Sequence, residues 1–502
     1  MNPVVIVGGG PVGMTAALLL AKFGVPSLIL EAANNRDPIG SKALCMQRDV
    51  LDVLERVGVG DKLMEEGITW TLGRTYYRNI ELFQITFPEV GDNHFPPFVN
   101  VGQDRTEHWL EARIRTEPLI ELRYGHAVTS LSQNDERVAL TVETTSGKTT
   151  ISAQYAIGAD GSRSAIRKLI GAEFPGKSFD DQFLICDIRA DLGFANERRF
   201  FFDPEWNPDR QVLIHPQADS VWRIDWQVPP DFDVEAEQAS GGLDERIRKI
   251  VGEGEYDIVW MSVYRFHQRI ATKFREGRVF LAGDAAHIVS PFGARGLNSG
   301  VQDAENLAWK LAFVLNGWAK DDLLDTYEPE RRAAAEENLR ITSTTMDFLV
   351  PPNEELWESR RRTLEAAVGN PNARQMVDSG QLAEPYDYGD SPLTTPTEAD
   401  LPVPPGRLMP DGVVLQSEGP VRLRELMGCG FIALSNNGPV LDSKAPPVAS
   451  LALAEIDRTG VLTDTLQLPV GSTVLIRPDG HVAAVATSRE ALTAALITAV
   501  AG

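Results

Sequence analysis

The sequence predicts a mixed α/β fold that combines a parallel sheet, an antiparallel sheet and a small α/β unit at the carboxyl end. A glycine-rich β–α–β pattern opens the chain, the aromatic-rich stretch Phe179–Val228 alternates apolar and polar residues, and short strands alternate with helices from Val413 to Gly502. The first pattern is typical of a parallel sheet covered by helices. The second is typical of a mostly antiparallel sheet with one covered face.

Composition limits the classes of function. The 502 residues allow about two to four domains, and 43% apolar residues are ordinary for a globular protein. The formal net charge of −23 argues against nucleic acid or an anionic membrane surface as the main partner. Cys45, Cys186 and Cys429 form no CxxC pair, and the chain has no apolar run of about 18 residues. We therefore expect a cytoplasmic protein without a signal peptide or a membrane span.

The first unit carries a dinucleotide-binding pattern. A β-branched run at Pro3–Val7 leads into G-x-G-x-x-G, a helix to about Phe23 and a second strand, Ser27–Leu30, that ends in Glu31. Gly8 allows the tight turn, Gly10 lets a pyrophosphate approach the backbone, and Gly13 lets helix and strand pack closely. Glu31 is placed to bind the adenosine ribose hydroxyls. The alternative is a glycine turn without a ligand, which the matching strand, helix and acid disfavour.

Further elements follow in order along the chain. The pattern predicts a loop and helix at Gly40–Leu63, strands within Thr69–Pro97, a helix at Gln103–Ile114, strands at Arg123–Val128 and Ala139–Thr144, a strand–turn–helix at Tyr155–Arg167, a helix at Leu243–Val251, a strand at Ile258–Phe266, helices within Asp321–Phe348 and Glu354–Gln381, and a proline-rich linker at Ser391–Pro410.

The aromatic-rich stretch offers pocket residues without fixing which face they lie on. His215, Arg223, Asp225 and Gln227 line a pocket if they lie on the covered face of the antiparallel sheet. A role at the surface or in strand pairing is the alternative for each of them, because periodicity alone cannot assign the face.

The stretch Gly277–Asn306 predicts a strand at Val279–Leu281, a turn at Gly283-Asp284, a proline- and glycine-rich loop, and a helix from about Leu297. Asn298, Ser299 and Asp303 suit the first turn of that helix. Its unpaired N–H groups favour negative charge in front of it, and the Asp284 carboxylate can accept hydroxyl hydrogen bonds. A flavin, with its anionic reduced ring and its hydroxylated ribityl chain, fits this arrangement. A strand–loop–helix that only builds core is the alternative.

Three motifs in order, the opening glycines with Glu31, the Asp160-Gly161 turn and Gly283-Asp284, resemble the single-component FAD-dependent aromatic hydroxylases, the group of p-hydroxybenzoate hydroxylase and phenol hydroxylase. The resemblance covers residues 3–395. The segment TYEPERR at Thr326–Arg332 is similar to that family's carboxyl-side helix, and LRELMGCGFIALS and VLIRPDGHVAA are similar to the thioredoxin-like tail of the phenol hydroxylase branch.

The resemblance implies a Rossmann-like FAD-binding domain (1–72, 101–178 and 273–390) interleaved with an antiparallel-sheet substrate domain (73–100 and 179–272), then a linker (391–410) and a thioredoxin-like α/β domain (411–502). It also implies a set of FAD-binding residues, which are Gly8, Gly10, Pro11, Val12, Gly13, Glu31, Lys42, Arg48, Gln103, Val128, Asp160, Asp284, Pro291, Gly296, Leu297 and Asn298. Arg167 closes the Asp160 motif, which the family links to both FAD pyrophosphate and NAD(P)H docking.

Some positions depart from the family pattern. The family's flavin-side loop reads roughly P-x-G-G-x-G, whereas residues 291–296 read P-F-G-A-R-G here. This places Arg295 near the ring and suggests that it contacts flavin or a carboxylated substrate. Lys42 stands at the position of the usual arginine. The tail lacks CxxC, so dithiol chemistry is not expected there. No metal site is predicted.

The family's reaction uses NAD(P)H to reduce FAD, forms a C4a-hydroperoxide with O2, and transfers one oxygen atom to a phenolic or aromatic small molecule. Pro291 and Arg295 are catalytic candidates by position, and His215 and Asp225 are candidates for the base by residue type. A homodimer is an expectation from the resemblance. The alternatives are a reductase or dehydrogenase of the same fold, a non-catalytic FAD-binding protein, and a halogenase, which the tryptophan spacing at Trp222–Trp226 disfavours.

Overall fold

The computed structural model describes residues 3–36, 43–87 and 93–501. The first part of the chain forms β1 (Val4–Val7), α1 (Pro11–Lys22), β2 (Ser27–Leu30), β3 (Cys45–Gln47), α2 (Arg48–Glu55), α3 (Gly60–Glu66), β4 (Leu72–Tyr77), β5 (Ile80–Thr86), β6 (Phe98–Asn100), α4 (Gln103–Ile114), β7 (Ile120–Arg123), β8 (Ala127–Gln133), β9 (Val138–Thr144), β10 (Gly147–Ala153), β11 (Tyr155–Gly158) and α5 (Ala165–Leu169). The middle part forms β12 (Gly176–Ala190), β13 (Arg198–Phe202), β14 (Gln211–Pro216), β15 (Val221–Val228), α6 (Val234–Ser240), α7 (Gly242–Val251), β16 (Tyr256–Ile270), β17 (Arg275–Glu276), β18 (Val279–Leu281), β19 (His287–Ile288), α8 (Arg295–Leu315), α9 (Tyr327–Leu349), α10 (Glu354–Gly369) and α11 (Pro371–Arg374). The last part forms β20 (Val413–Gln416), β21 (Gly419–Arg422), β22 (Phe431–Asn436), β23 (Ser443–Lys444), β24 (Pro447–Ala452), α12 (Leu453–Ile456), α13 (Val461–Leu466), β25 (Ser472–Ile476), β26 (Val482–Ala486) and α14 (Arg489–Ala501).

A sheet with strand order β17-β18-β11-β1-β2-β7, parallel except for the edge strand β17, forms the centre of the first unit. β1 pairs in parallel with β2 and β11, and β11 pairs in parallel with β18. The side chains of β1 are buried, as continuous apolar strands of a covered parallel sheet should be. Helices α1 and α8 cross closely over this sheet. The crossing leaves no room for a side chain at Gly300, since an added Cβ would lie 2.6 Å from Val12 Cγ2. The predicted mixed α/β fold class is confirmed.

The aromatic-rich stretch forms an eight-stranded sheet with strand order β19-β16-β12-β15-β14-β13-β4-β5. Its pairings are antiparallel except for β13 with β4. One face packs against Leu243 and Ile247 of α7. The other face, which we call the inner face, carries Phe183 and Phe200 and packs against Met346 of α9 and Phe292. The expectation of a single covered face was therefore wrong, because α7 covers one face of the sheet and α9 covers the other.

The carboxyl-terminal unit contains a five-stranded sheet with order β23-β24-β22-β25-β26. β22 pairs in parallel with β24 and antiparallel with β25. Phe431 of this sheet meets Trp309 and Phe313 of α8 in a shared core. Residues 391–410 contain neither helix nor strand, yet Leu393 is fully buried. This connecting segment is therefore packed onto the units that it joins.

Some element boundaries differ from the sequence expectation. The predicted strand Arg123–Val128 is interrupted, since Gly125 has φ +66° between β7 and β8. α8 begins at Arg295 rather than near Leu297, which places Asp303 in its third turn rather than its first. The helix predicted over Glu354–Gln381 ends at Gly369 and resumes only for Pro371–Arg374. No helix in the described part of the chain is both long and apolar enough to cross a bilayer.

A network of buried charges joins α8, α9 and the carboxyl-terminal unit. Its members, here called the buried ion network, are Asp303, Lys310, Glu330, Arg331, Arg477 and Asp479. Glu330 accepts hydrogen bonds from Lys310 Nζ at 2.6 Å and from Arg477 Nη1 and Nη2 at 2.6 and 3.0 Å. Burial lowers the pKa of Lys310 to about 8, and the carboxylate of Glu330 opposes this fall. Acids and bases balance, which is the condition for burying so many charges.

Replacing Arg477 by glutamine tests this network. The substitution leaves two buried carboxylates, Glu330 and Asp479, without their shared cation, and we expect the free energy of unfolding to fall by about 3–5 kcal/mol. The matched control is Arg407→Gln, which breaks the exposed Arg407–Asp387 pair and should cost less than about 1 kcal/mol. Chemical denaturation followed by tryptophan fluorescence measures both. Equal small losses in the two variants would show that the network does not hold the units together.

Candidate functional site

The opening glycine turn leaves one side open. A Cβ on Gly8, which has φ +112°, would collide with the carbonyl oxygen of Ala159, and a Cβ on Gly13 would collide with the carbonyl oxygen of Gly8. Gly10 differs, because no atom lies within 4 Å of an added Cβ, and its φ of −76° suits any residue. Gly10 also precedes the first residue of α1, Pro11, so this open side lies at the positive end of a helix.

Glu31 stabilises the glycine turn by accepting backbone hydrogen bonds. Its Oε2 accepts a hydrogen bond from the Gly9 amide at 2.7 Å, and its Oε1 accepts one from the Ala33 amide at 2.8 Å. A carboxylate has about four acceptor positions, so capacity remains for ribose hydroxyls. The predicted placement of Glu31 beside the glycine turn therefore agrees with a ribose-binding role.

Asp303 organises the second half of this site. Its Oδ2 accepts hydrogen bonds from the Gly283 amide at 2.8 Å and from His287 Nε2 at 2.7 Å, and its Oδ1 accepts one from Arg331 Nε at 2.6 Å. Burial alone would raise the pKa of this carboxyl, but His287 and Arg331 outweigh burial and hold the pKa below its ordinary value. The charged Asp303 thus fixes the turn that carries Asp284.

Asp284 itself is exposed at the end of β18. It lies within electrostatic range of Arg167 on α5 and of Tyr264 on β16. The Gly283-Asp284 turn packs against Val12 of α1, because an added Cβ on Gly283 would lie only 3.0 Å from Val12 Cγ2. The start of α1 and the Gly283-Asp284 turn are therefore neighbours, as a ligand that spans both motifs requires.

The start of α8 is joined to β3. Asn298 Oδ1 accepts a hydrogen bond from the Gln47 amide at 3.0 Å, and Asn298 Nδ2 donates to the carbonyl oxygen of Cys45 at 2.9 Å. An added Cβ on Gly296 would meet no atom within 4 Å, so this part of the helix start is open. Pro291 is exposed and opens the turn that leads into the helix, and Leu297 packs partly against the core of the parallel sheet.

Arg295 has protein partners. Its Nη1 donates to Asn338 Oδ1 at 2.6 Å, and its Nη2 lies 3.4 Å from the carbonyl oxygens of Gln381 and Leu382. Only its buried Nε has no partner among the described residues. This side chain ties the start of α8 to α9 and to the 381–382 segment, which favours a positioning role over direct contact with a ring.

Asp160 and Arg167 hold the middle motif together. Asp160 Oδ2 accepts hydrogen bonds from the amides of Ala165 and Ile166 at 2.6 and 3.1 Å, and therefore caps α5. Arg167 Nη1 donates to the carbonyl oxygen of Ala285 at 2.9 Å. The motif thus fixes α5 against the turn that carries Asp284.

The remaining predicted cofactor residues lie in different surroundings. Gln103 Nε2 donates to Glu107 at 2.8 Å at the start of α4. Arg48 Nε donates to the carbonyl oxygen of Phe95 at 2.8 Å, and its electrostatic neighbours, Asp52 foremost, lie on the side of the carboxyl-terminal unit. Val128 is buried in the core of the parallel sheet. Lys42 falls outside the described residues.

Register places the polar pocket candidates on the inner face of the large sheet. His215 pairs with Arg223, and Arg223 pairs with Asp187. The β13–β14 register, which pairs Phe200 with Leu213, brings Arg198 opposite His215. We call Arg198, His215, Arg223 and Asp187 the polar row. The next row toward the aromatic cluster contains Phe200, Leu213, Asp225 and Ile185.

In these two rows, His215 and Asp225 each keep a polar atom that a ligand could bind. Arg223 and Asp187 form two hydrogen bonds of 2.8 Å and neutralise each other. His215 Nδ1 and Asp225 Oδ1 are buried without a partner among the described residues. Burial, reinforced by Arg198 and Arg223, lowers the pKa of His215 well below its ordinary value, so its imidazole is neutral. Burial raises the pKa of Asp225 to about 7, although Arg223 opposes this.

Sequence reasoning missed Arg198. Its Nη2 donates to the carbonyl oxygen of Ser379 at 2.8 Å, and its guanidinium lies 5.1 Å from the ring centre of Phe200. Cys45 of β3 is its leading electrostatic neighbour. The alternation of Arg198, Phe200 and Phe202 along one strand was the available signal, because it puts the arginine on the same face as two core phenylalanines.

These elements agree with a flavin site between α1 and α8. Gly10 and Gly296 are open where the pyrophosphate and the ring should lie, and Glu31 and Asp284 supply acceptors for the two sugar-like chains. Among the described residues no group of His, Cys, Asp and Glu side chains is arranged to hold a metal ion. The fold and the site define a dinucleotide-binding protein of the flavoprotein class.

Comparison with known proteins identifies the family. The model of the FAD binding domain matches residues 1–342, and the model of the aromatic-ring hydroxylase carboxyl-terminal domain matches residues 403–501. The chain is 31% identical to the 12-dehydrotetracycline 5-monooxygenase/anhydrotetracycline 6-monooxygenase of Streptomyces rimosus, over 99% of this chain and 98% of that protein. It is 28% identical to a 3-(3-hydroxy-phenyl)propionate/3-hydroxycinnamic acid hydroxylase of Mycolicibacterium gilvum, over 97% of this chain and 90% of that protein.

A solved structure shares the fold. The flavin-dependent monooxygenase PieE, in complex with FAD and substrate, has a TM-score of 0.83 and 23% identity, with coverage of 99% of this chain and 98% of that one. The chain belongs to the FAD-dependent aromatic-ring hydroxylases, FAD is its cofactor, and the predicted resemblance is confirmed. Its activity class is that of a flavin-dependent aromatic monooxygenase.

A bulky residue at Gly10 should block FAD selectively. Gly10→Val fits the backbone and the space in the apoprotein but occupies the position of the pyrophosphate, so we expect FAD to bind at least about a hundredfold more weakly. The measurement is a fluorescence titration of apoprotein with FAD, together with the thermal midpoint of the apoprotein. Gly369→Val, at an exposed helix end with equal open space, is the control and should leave FAD affinity unchanged. An unaffected Gly10→Val variant would exclude this turn from the FAD site.

Proposed function

We propose that this protein hydroxylates a phenolic or other electron-rich aromatic small molecule, with NAD(P)H as the electron donor and O2 as the oxygen source. The proposal rests chiefly on the inner face of the large sheet, where buried unpartnered polar atoms of His215 and Asp225 lie beside an aromatic cluster. Arg198 on that face has Cys45 of β3 as an electrostatic neighbour, and the carbonyl oxygen of Cys45 accepts a hydrogen bond from Asn298 at the start of α8. A substrate there lies next to the proposed flavin position.

The proposed roles of the FAD-binding residues follow the geometry. The glycine turn with Pro11, Val12 and Glu31 holds the ADP part, Asp284 binds the ribityl chain, and the segment from Gly296 to Asn298, with Pro291, borders the ring. Bound FAD supplies the redox chemistry, taking electrons from NAD(P)H and activating O2. For Gln103, Lys42, Arg48, Val128 and Asp160 the proposal of a cofactor contact rests on the resemblance, and the hydrogen bonds of Asp160 assign it a further role as a cap of α5.

The protein's own contribution is exclusion of water and control of a proton. Phe183, Phe200, Phe266 and Phe292 form a contiguous aromatic wall, with ring centres of Phe183 and Phe266 4.3 Å apart. Such a wall keeps water from the reacting atoms. Asp225, with a pKa of about 7, is poised to accept the proton of a substrate phenol, which raises the electron density of the ring. The neutral His215 offers its free ring nitrogen to the same oxygen.

Finer assignments of organisation are also proposals. We place the FAD-binding domain at 1–72, 101–178 and 273–390, the substrate domain at 73–100 and 179–272, and the tail domain at 411–502. All three cysteines are free, which supports a reducing compartment such as the cytoplasm. A homodimer remains an expectation from the family resemblance.

A turnover screen tests the function. The FAD-loaded enzyme should consume O2 and NADH or NADPH at least about tenfold faster with an accepted aromatic than without one, because an aromatic substrate in the pocket couples electron supply to transfer of oxygen. The panel contains phenols, resorcinols, hydroxybenzoates, 3-(3-hydroxyphenyl)propionate and anhydrotetracycline, and mass spectrometry under ¹⁸O2 must find one labelled oxygen in the product. NAD(P)H oxidation that no aromatic accelerates would favour the reductase alternative.

The raised pKa of Asp225 predicts a pH dependence of stability. Between its ordinary pKa of 3.8 and about 7, the folded chain holds a proton that the unfolded chain has lost. The contribution of Asp225 to the free energy of unfolding is therefore complete at acid pH and is lost as the pH rises through about 7. The thermal midpoint of wild type should fall relative to that of Asp225→Asn between pH of about 5 and 8.5. Asp231→Asn, which removes an exposed acid, is the control. If the difference in thermal midpoint between wild type and Asp225→Asn does not change with pH, the pKa of Asp225 is not raised.

A further inference from the structure

We propose that Arg198 binds an oxyanion of the aromatic substrate, either a carboxylate or an ionised phenol, and so selects negatively charged aromatics. The inference rests on the proposed function, because it assigns the charge of the substrate that occupies the inner face of the large sheet.

The position of Arg198 is set by strand register. It shares a face with Phe200 and Phe202 and lies across from His215. Its leading electrostatic neighbour, Cys45, has its carbonyl oxygen bonded to Asn298 at the start of α8. Arg198 is therefore the member of the polar row that is electrostatically coupled to β3, the strand bonded to the helix start at which the flavin ring is proposed to lie.

The charge of Arg198 is not balanced by the protein. The other arginines of β4, β13 and β15 each have a carboxylate partner: Arg74 and Arg199 pair with Glu197, and Arg223 pairs with Asp187. Within the described ranges Arg198 has no ion pair, and its one hydrogen bond is to the neutral carbonyl of Ser379. Arg198 is half-buried, so part of its hydration is lost without an acid to replace it, and an anionic ligand would supply the missing partner.

Three titratable groups lie near Arg198, and none of them forms a hydrogen bond or an ion pair with its guanidinium among the described residues. Burial raises the pKa of the Cys45 thiol to about 12, so this sulfur is neutral, and His215 is neutral as well. Asp225 is the one nearby acid with electrostatic influence on Arg198, and it lies in the adjacent row, opposite Leu213, without a hydrogen bond to the guanidinium. A guanidinium in such a partly dry site forms strong charge-assisted hydrogen bonds with carboxylate or phenolate oxygens.

Isothermal titration calorimetry of the FAD-loaded enzyme tests the inference with paired probes. The first pair is 3-hydroxybenzoate and 3-hydroxybenzamide, and the second is 4-nitrophenol, ionised at mildly alkaline pH, and 4-nitroanisole. Wild type should bind the anionic member of at least one pair about tenfold or more tightly than the neutral member. A preference confined to the first pair identifies a carboxylate as the ligand, and one confined to the second identifies a phenolate.

Arg198→Gln should abolish this preference by weakening only the anionic probe, and Arg198→Lys should retain part of it. Arg199→Gln, on the same strand but on the opposite face, should leave the preference unchanged. FAD content and thermal midpoint confirm that each variant is folded. Equal binding of anionic and neutral probes to wild type, or a preference that survives in Arg198→Gln, would overturn the proposal. If the preference behaves as expected but no aromatic is hydroxylated, the proposed function fails and the oxyanion site stands.

Discussion

The carboxylate of Asp303 is the interaction on which the geometry of the site depends. It is fully buried and joins the Gly283 amide, His287 and the Arg331 guanidinium, which belong to three different elements. Arg331 also reaches the Tyr388 hydroxyl at 2.7 Å and the carbonyl oxygen of Ser299 at 3.2 Å. One side chain thus sets the position of the turn that carries Asp284 relative to the first turns of α8.

The buried ion network also connects the carboxyl-terminal unit to the helices that form the site. Glu330 is adjacent to Arg331 on α9 and receives Arg477 from the carboxyl-terminal unit. Asp479 in turn accepts a hydrogen bond from Trp309 Nε1 of α8 at 3.0 Å. Because opposite charges in a dry interior hold each other at short distance, α8 and α9 are fixed against the tail. The tail therefore acts as a structural support, which agrees with its lack of a CxxC pair.

Local pattern was enough to predict the elements around the cofactor. β1 and β18 follow from short apolar runs that glycine ends, and β2 follows from an apolar run that ends at Glu31. These signals are local, which is why the sequence shows them. The resemblance then supplied the order of motifs. The start of α8 was misplaced by two residues because Ala294, rather than a polar cap, precedes it in a left-handed conformation.

The substrate side was harder to predict because it depends on strand register. His215 and Asp225 were named by residue type, but only the pairing of β14 with β15 shows that they share a face. Arg198 was missed, since nothing local shows that it lacks an acid while Arg199 next to it has one. Arg295 was expected beside the ring, whereas its partners, Asn338 and the 381–382 carbonyls, lie far along the chain. Long-range contacts of this kind leave no periodic signal in the sequence.

A crystal structure of the chain grown with FAD tests the central claim most directly. The account predicts the pyrophosphate at the open side of Gly10, a ribityl hydroxyl on Asp284, and the isoalloxazine ring in front of residues 296–298 with the inner face of the large sheet beyond it. A flavin bound elsewhere, or crystals that remain colourless at saturating FAD, would contradict it.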